Sequence, residues 1–186
     1  PCLKRPGSDF VFGHPGQSTI SLIRPARHAG LRYIQPADER SAGFAATGFI
    51  EATGRPAVLC VSKGPATTNI LTPIVSAGRD GIPLVTISCN VATHGESKNS
   101  FQEFDIVELL QRSAHLKLAV RARDAQAIPA LLRESFRSAW TEPFGPTLLD
   151  VPCDLLRAKL DHDDVPAVDT RRPVDAVAFD RVAVAV

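Results

Sequence analysis

The fold is decided by residues 57–69, which read AVLCVSKGPATTN. Five apolar residues come first without polar alternation, and this pattern predicts a strand that is covered on both faces, as in a parallel sheet. Glycine and proline then interrupt the run, and the residues after them predict a helix over about 67–77. A strand, a tight loop and a helix in succession are typical of a βαβ unit.

The same alternation extends on both sides of this stretch. Further apolar runs of strand length lie at residues 9–12, 31–34, 83–87, 115–120 and 147–151. A helix is predicted over residues 39–53, between an N-cap at Asp38 and a C-terminal glycine at Gly54. The alternation predicts the α/β class, with an open doubly wound, mainly parallel sheet and helices on both faces.

The helices have apolar faces that predict part of the core. In the helix over residues 39–53, the buried stripe is predicted to be Ala42, Ala46, Phe49 and Ala52 or Thr53. A further helix over about 124–140, with Pro129 in its first turns, would bury Ile128, Leu131, Leu132, Ser135, Phe136 and Ala139.

Composition excludes several classes of protein. The net charge of +1 over 186 residues gives no electrostatic footprint for nucleic acid or an anionic membrane. No apolar run approaches the roughly 20 residues of a membrane span. The four cysteines form no C-x-x-C pair, so we expect buried free thiols in a cytoplasmic protein and no metal site.

Two parts of the chain are distinguished by composition. Residues 1–160 are predicted to form one domain, and residues 161–186, which are rich in Asp, Pro and Val, a linker to or the start of a further domain. The sequence contains no methionine, so we expect the start of the chain to lie within a longer protein.

Polar and glycine residues follow the predicted strands, at the edge where open parallel sheets bind ligands. Each loop also has an ordinary explanation when it is taken singly. The Gly13-His14-Pro15-Gly16 segment suits a structural turn, and Glu39 suits a carboxylate that interacts with the helix dipole. Lys63-Gly64-Pro65 could receive an anion or could be a common turn.

The ordered set of loops is more specific. Residues 38–56, DERSAGFAATGFIEATGRP, closely resemble the His-Glu-Gln-Gly-Ala segment and following helix of acetolactate synthases. Further segments match the same family at residues 12–16, 64–69, 80–85, 101–105 and 145–154. The resemblance covers roughly residues 9–156. On these motifs the chain is similar to the N-terminal, pyrimidine-binding domain of thiamine-diphosphate enzymes, of the acetolactate synthase type.

The resemblance implies a role for several residues. Glu39 would be catalytic, because the family glutamate hydrogen-bonds N1′ of the cofactor's aminopyrimidine, and Gln102 would be a second catalytic residue. Pro15, Gly16, Gly64 and Asn69 would bind the cofactor together with Glu39. Phe101 and Gln102 would reach the substrate side, although Phe101 could instead be a core aromatic.

The resemblance also implies partners outside the chain. A diphosphate-binding domain of the same or another chain would hold the rest of thiamine diphosphate through Mg²⁺. The full-length enzyme would be a transferase or lyase that attacks a 2-keto acid such as pyruvate, with FAD as an allowed further cofactor and a homodimer or tetramer as its assembly. This chain alone would be incomplete and inactive.

Two alternatives remain open from the sequence. The chain could be a stand-alone subunit of a two-chain 2-keto acid decarboxylase, or a degenerate, non-catalytic oligomerisation domain. The second alternative rests on three departures from the family pattern: Asp38 and Arg40 replace the histidine and glutamine beside the glutamate, and Lys63 replaces a small residue. A further departure is Ala66, which replaces the second glycine of Gly-Pro-Gly.

Overall fold

A six-stranded, fully parallel sheet forms the centre of the computed structural model, which describes residues 3, 7–112, 115–160, 168 and 170. The strands are β1 (Phe10–Gly13), β2 (Arg32–Ile34), β3 (Ala57–Val61), β4 (Val85–Asn90), β5 (Leu118–Arg121) and β6 (Thr147–Pro152). Their order across the sheet is β2-β1-β3-β4-β6-β5. All six predicted strands are present, and the predicted α/β class is confirmed.

Six α-helices connect the strands. They are α1 (Ile20–His28), α2 (Glu39–Thr53), α3 (Pro65–Asn69), α4 (Leu71–Arg79), α5 (Ile106–Gln111) and α6 (Ile128–Ala139). The helix predicted over 67–77 is in fact two helices that meet at Ile70. The helix predicted over 124–140 begins as a short 3-10 turn and becomes an α-helix at Ile128. The sequence patterns predicted neither α1 nor α5.

Helix α2 has the predicted bounds because a capping residue lies at each of its ends. The Asp38 side chain accepts a hydrogen bond from the Ser41 amide at 2.8 Å, and Gly54 ends the helix at φ 63°. The predicted stripe was only partly right. Its buried residues are Ala42, Gly43, Ala46, Thr47 and Ile50.

The buried face of α2 is rotated toward Ile50 because small residues let the helix pack closely against α4 and β3. A Cβ at Gly43 would lie 2.5 Å from Cγ of Pro73. Phe49 is therefore half-buried and packs against Phe10, with ring centroids 4.7 Å apart. Ala52 and Thr53, one of which was predicted to be buried, are both exposed in the last turn.

The sheet is covered on both faces. Helix α2 packs on β1 and β3, and Gly43 lies over Leu59. On the other face, α1 and α6 line an apolar space over Ile87 and Leu149. The predicted stripe of α6 is buried at Leu132, Ser135, Phe136 and Ala139, while Ile128 and Leu131 are half-buried.

Because every strand is parallel, the carboxyl ends of all six lie at one edge of the sheet. The loops that follow β1, β2, β3 and β4 therefore meet there, as the sequence predicted. Cys60 and Cys89 are buried free thiols and Cys153 is half-buried, whereas Cys2 lies outside the described residues. The predicted linker over 161–186 also lies outside them, apart from Val168 and Thr170. In the part of the chain that the structure describes, no helix is long and apolar enough to cross a membrane.

Candidate functional site

Glu39 is the first residue of α2 and is joined to α3 by its side chain. The Nδ2 atom of Asn69, the last residue of α3, donates a hydrogen bond to Oε2 of Glu39 at 3.0 Å. The other carboxylate oxygen has no hydrogen-bond partner among residues 7–112 and 115–160. The structure thus brings together two of the residues that the sequence singled out, although they lie thirty positions apart.

The charge of Asp38, next to Glu39, is accounted for locally. Its carboxylate caps α2 through the Ser41 amide and also accepts from Nη2 of Arg40 at 3.3 Å. The hydrogen bond from the Ser41 backbone is the main cause that lowers the pKa of Asp38, and the charge of Arg40 adds to it. The two departures from the family pattern at positions 38 and 40 therefore offset each other.

The loops after β1, β2 and β3 are locked together. The His14 ring nitrogen Nδ1 lies 3.2 Å from the carbonyl oxygen of Pro36, which links the first two loops. The Ser18 and Ser62 hydroxyls are hydrogen-bonded at 2.7 Å in a buried position, which links the first loop to the third. A Cβ at Gly16 would lie 2.6 Å from the Ser62 side chain, so glycine is required for this approach. Pro15 is exposed beside it.

Gly64 and Gln102 form the second close approach. Gly64 has φ +58°, and a Cβ there would lie 2.5 Å from the carbonyl oxygen of Gln102. Gln102 itself has φ 61°, which costs a non-glycine residue about 1 kcal/mol. Ala66 lies inside α3 and avoids positive φ, so its replacement of glycine is tolerated.

The strained Gln102 belongs to a loop that is strained as a whole. All three positive-φ residues other than glycine in the described chain, Ser97, Asn99 and Gln102, follow β4. The Glu103 carboxylate holds this loop by accepting from the amides of Ser97 and Ser100, and these hydrogen bonds lower its pKa. Strain of this kind accumulates at binding loops.

Phe101 is 78% exposed, so the interpretation of this residue as a core aromatic is wrong. Its ring lies under the Lys63 ammonium, with Nζ 6.0 Å from the ring centroid. Two of the predicted site residues, Phe101 and Gln102, are therefore next to Lys63 and Gly64. In the described residues, no hydrogen bond joins these four residues to Glu39 or Asn69.

Residues 1–109 match the family model described as the thiamine pyrophosphate enzyme, N-terminal TPP binding domain.

The chain belongs to this family.

Among curated relatives, the mitochondrial acetolactate synthase catalytic subunit of Saccharomyces cerevisiae is 32% identical over 159 residues, which are 85% of this chain and 23% of the relative. The acetolactate synthase large subunit of Corynebacterium glutamicum is 34% identical over 90% of this chain and 26% of the relative. This TPP-binding domain thus spans about a quarter of the length of the relatives it matches.

A solved structure gives the same result for the fold. An X-ray structure described as that of a thiamin diphosphate-dependent enzyme from Mycobacterium smegmatis superimposes with a TM-score of 0.83 at 25% identity. The match covers 99% of this chain and 35% of the solved one. The expectation of a thiamine-diphosphate-binding fold of acetolactate synthase type is confirmed.

The residues of this TPP-binding domain fit an aminopyrimidine. Glu39 offers a carboxylate oxygen that no described residue engages, at the edge where the polar loops meet. Nearby, the hydroxyl of Tyr33 is buried without a hydrogen-bond partner in the described chain. Burial is the main cause that raises the pKa of Tyr33 above its usual range, and the neighbouring Cys60, Cys89 and Glu39 add to the effect.

Tyr33 was not predicted from the sequence, and neither was a buried ion pair. The fully buried Asp150 carboxylate accepts from Nε of Arg121 at 2.6 Å and from Nδ2 of Asn90 at 2.8 Å. Arg121 also contacts Asp105 at 3.0 Å. Burial opposes the charge of Arg121, but the hydrogen bond and charge of Asp150 raise its pKa overall. A carboxylate in the apolar run 147–151 was the available signal, because a buried charge requires a partner.

The described residues contain no group of three or more His, Cys, Asp or Glu side chains that could hold a metal ion.

Proposed function

We propose that this chain is the pyrimidine-binding domain of an acetolactate-synthase-like enzyme and that Glu39 hydrogen-bonds N1′ of thiamine diphosphate. The observation that carries the proposal is the hydrogen bond from Asn69 to Glu39, 3.0 Å long, at the ligand-binding edge of the sheet. The matched family and the acetolactate synthase relatives support the cofactor and the class of reaction.

The role of Glu39 follows from its two oxygens. Asn69 holds Oε2 in one orientation and leaves the other oxygen for a ligand. A carboxyl group suits a weakly basic ring nitrogen because the two can share a proton along one hydrogen bond. When it is bound, the cofactor supplies an electron sink for the attack on a 2-keto acid. The role of Glu39 is to hold and transfer the proton at N1′.

The other predicted residues would shape the pocket around this contact. Pro15 and Gly16 lie on the loop that Ser62 holds in place, so they could meet the pyrimidine ring without rearrangement. Gly64 and the strained Gln102 fix the loop after β4 against the loop after β3. Gln102 and the exposed Phe101 would then approach the substrate from the loop after β4.

A second domain is part of the proposal. The chain spans 23% and 26% of the two acetolactate synthase relatives. We assign the diphosphate and Mg²⁺ to a diphosphate-binding domain of the same or another chain, with a dimer as the smallest assembly that completes the site. The mutual pairing of Asp38 and Arg40 favours an active domain over a degenerate one, because it leaves no uncompensated charge beside Glu39.

The test uses the full-length protein with Mg²⁺ and thiamine diphosphate, and measures pyruvate consumption. The Glu39→Gln variant is expected to lose about 100-fold or more in kcat, as for other losses of a proton-transfer group. Glu51→Gln is the matched control, because Glu51 is exposed on the same helix. Turnover by Glu39→Gln that equals turnover by Glu51→Gln would refute the role of Glu39.

A further inference from the structure

A small cavity lies beside the predicted site, where the loops after β1, β3, β4 and β6 meet. Its volume is about 230 Å³. It is lined by Gln17, Ser18, Lys63, Val91, Ala92, His94, Gly95, Ser100, Phe101, Cys153 and Arg157. Pockets for drug-sized ligands measure roughly 300–1,000 Å³, so this one suits a small organic acid.

The charged side chains that line the cavity are all basic. Lys63, His94 and Arg157 contribute basic groups, and no Asp or Glu of the described chain lines the cavity. The carboxylates that are close to the lining residues in sequence have partners of their own. Asp154 accepts from the amide of Thr93 at 3.0 Å and from its hydroxyl at 2.6 Å.

Two further carboxylates of the loop after β4 are also engaged. Glu103 accepts from the Ser100 amide at 3.0 Å, and Glu96 pairs with Arg123 at 2.9 Å. Within the described ranges, Lys63 and Arg157 therefore have no ion-pair partner. Arg157 donates from Nε to the Ser21 hydroxyl at 3.1 Å, which holds its side chain but leaves its charge unpaired. Unpaired cations that face one small cavity favour an anionic ligand.

The cavity adjoins the predicted substrate side, because Phe101 is one of its lining residues. Lys63 precedes Gly64 and Phe101 precedes Gln102, and Gly64 and Gln102 approach each other closely next to these two lining residues. Residues 64–68 separate Lys63 from Asn69, and the four steps of α3 from Pro65 to Asn69 account for about 6 Å of this distance at about 1.5 Å per residue. One small molecule could therefore reach from the cavity toward the Glu39–Asn69 end of the site.

We propose, on the basis of the proposed function, that the substrate is a 2-keto acid with a second anionic group, and that Lys63 and Arg157 bind this group. A carboxylate, a sulfonate or a phosphonate at the end remote from the keto group meets the requirement. Lys63 is the specificity-determining residue of the pair, because its ammonium lies over Phe101 and faces the cavity.

The first measurement is the specificity of the full-length enzyme. Wild type is expected to turn over at least one of 2-oxoglutarate, 3-sulfopyruvate and 3-phosphonopyruvate about tenfold better in kcat/KM than 2-oxopentanoate and pyruvate. The acid that is preferred identifies the second anionic group. In Lys63→Gln this preference is lost through KM, and in Lys63→Arg it returns. Lys98→Gln, at an exposed position in the loop after β4, keeps it.

The second measurement does not depend on turnover. Isothermal titration calorimetry with unreactive glutarate and pentanoate should show about tenfold tighter binding of the dianion, and Lys63→Gln should abolish the difference. Equal kcat/KM for all five acids, unchanged by Lys63→Gln, overturns this inference and leaves the proposed function intact. A loss of thiamine diphosphate affinity in Lys63→Gln, with unchanged substrate preference, also overturns it, because Lys63 would then serve the cofactor.

The opposite outcome also separates this inference from the proposed function. If Glu39→Gln retains full turnover while glutarate binding depends on Lys63, the proposed role of Glu39 fails and the anion site stands. If no 2-keto acid is consumed and glutarate does not bind, both are rejected.

Discussion

The amide of Asn69 at the end of α3 donates to the carboxylate of Glu39 at the start of α2, across 3.0 Å. These two helices follow β2 and β3, which lie on either side of β1 in the sheet, so the contact fixes the glutamate from outside its own helix. A carboxylate on a first helical turn is otherwise free to rotate. Asn69 therefore acts as a positioning residue for Glu39.

Replacement of Asn69 by Ala should weaken the binding of thiamine diphosphate by about fivefold, because one hydrogen bond of about 1 kcal/mol no longer orients Glu39. Calorimetric titration of the full-length protein measures the affinity. Thr72→Ala, at an exposed position on α4, is the control and should bind like wild type. Equal affinities for all three proteins would show that Asn69 does not position Glu39.

Two glycines should respond to alanine in opposite directions. Gly64→Ala should lower the free energy of unfolding by at least about 1–2 kcal/mol, because φ is +58° and the new Cβ would lie 2.5 Å from the carbonyl oxygen of Gln102. Gly48→Ala should raise it by about 0.5–1 kcal/mol, because Gly48 lies within α2 and has open space around it. Thermal unfolding measures both. A Gly64→Ala protein as stable as wild type would contradict the close approach.

The buried pair of Arg121 and Asp150 should be sensitive to the loss of either partner. Arg121→Met is expected to destabilise the protein by about 3–5 kcal/mol, because it leaves the fully buried Asp150 carboxylate without its cation. The double variant Arg121→Met with Asp150→Leu should be less destabilised than Arg121→Met alone. Denaturant unfolding provides the values, and Arg137→Gln, which breaks an exposed pair with Glu134, should have little effect.

Tyr33 should make stability depend on alkaline pH. Its folded-state pKa is raised above the ordinary value of 10.0, so the unfolded chain loses the phenol proton first and stability falls as the pH rises above 10. Tyr33→Phe should be more stable by about 1 kcal/mol at neutral pH, because it removes a buried hydroxyl without a partner.

The advantage of Tyr33→Phe should grow above pH 10. Denaturant unfolding of both proteins at pH 8 and pH 11 measures this difference. The absorbance of ionised tyrosine in the 186-residue chain reports on Tyr33 alone, because the sequence contains one tyrosine. An absorbance titration with an ordinary midpoint would show that the hydroxyl is not buried.

Local signals explain what the sequence could predict. The bounds of α2 were predicted because Asp38 and Gly54 act within a few residues of the helix ends. Helix α1 was missed because Pro25 lies inside it, and α5 was missed because six residues give too short a periodic pattern. The helix predicted over 67–77 was interrupted at Ile70, where no glycine or proline marks the break.

The rest of the site depends on contacts between distant segments. The loops were predicted to meet, but the bond between Glu39 and Asn69 requires α2 and α3 to be placed by the sheet. Phe101 is a large apolar residue of the kind that is usually buried. It is exposed because of the conformation of the loop after β4, which the sequence does not reveal. The pairing of Asp150 with Arg121 requires β5 and β6 to be neighbours, which no local pattern indicates.

The strand order has a consequence for the synthesis of the protein. Strand β6 lies between β4 and β5, although it is made after both of them. A nascent chain therefore exposes one edge of β4 until residue 152 has left the ribosome, and β5 has no partner strand before that point. The segment that matches the family model ends at residue 109, so a shortened gene product that keeps this match would still lack both β5 and β6.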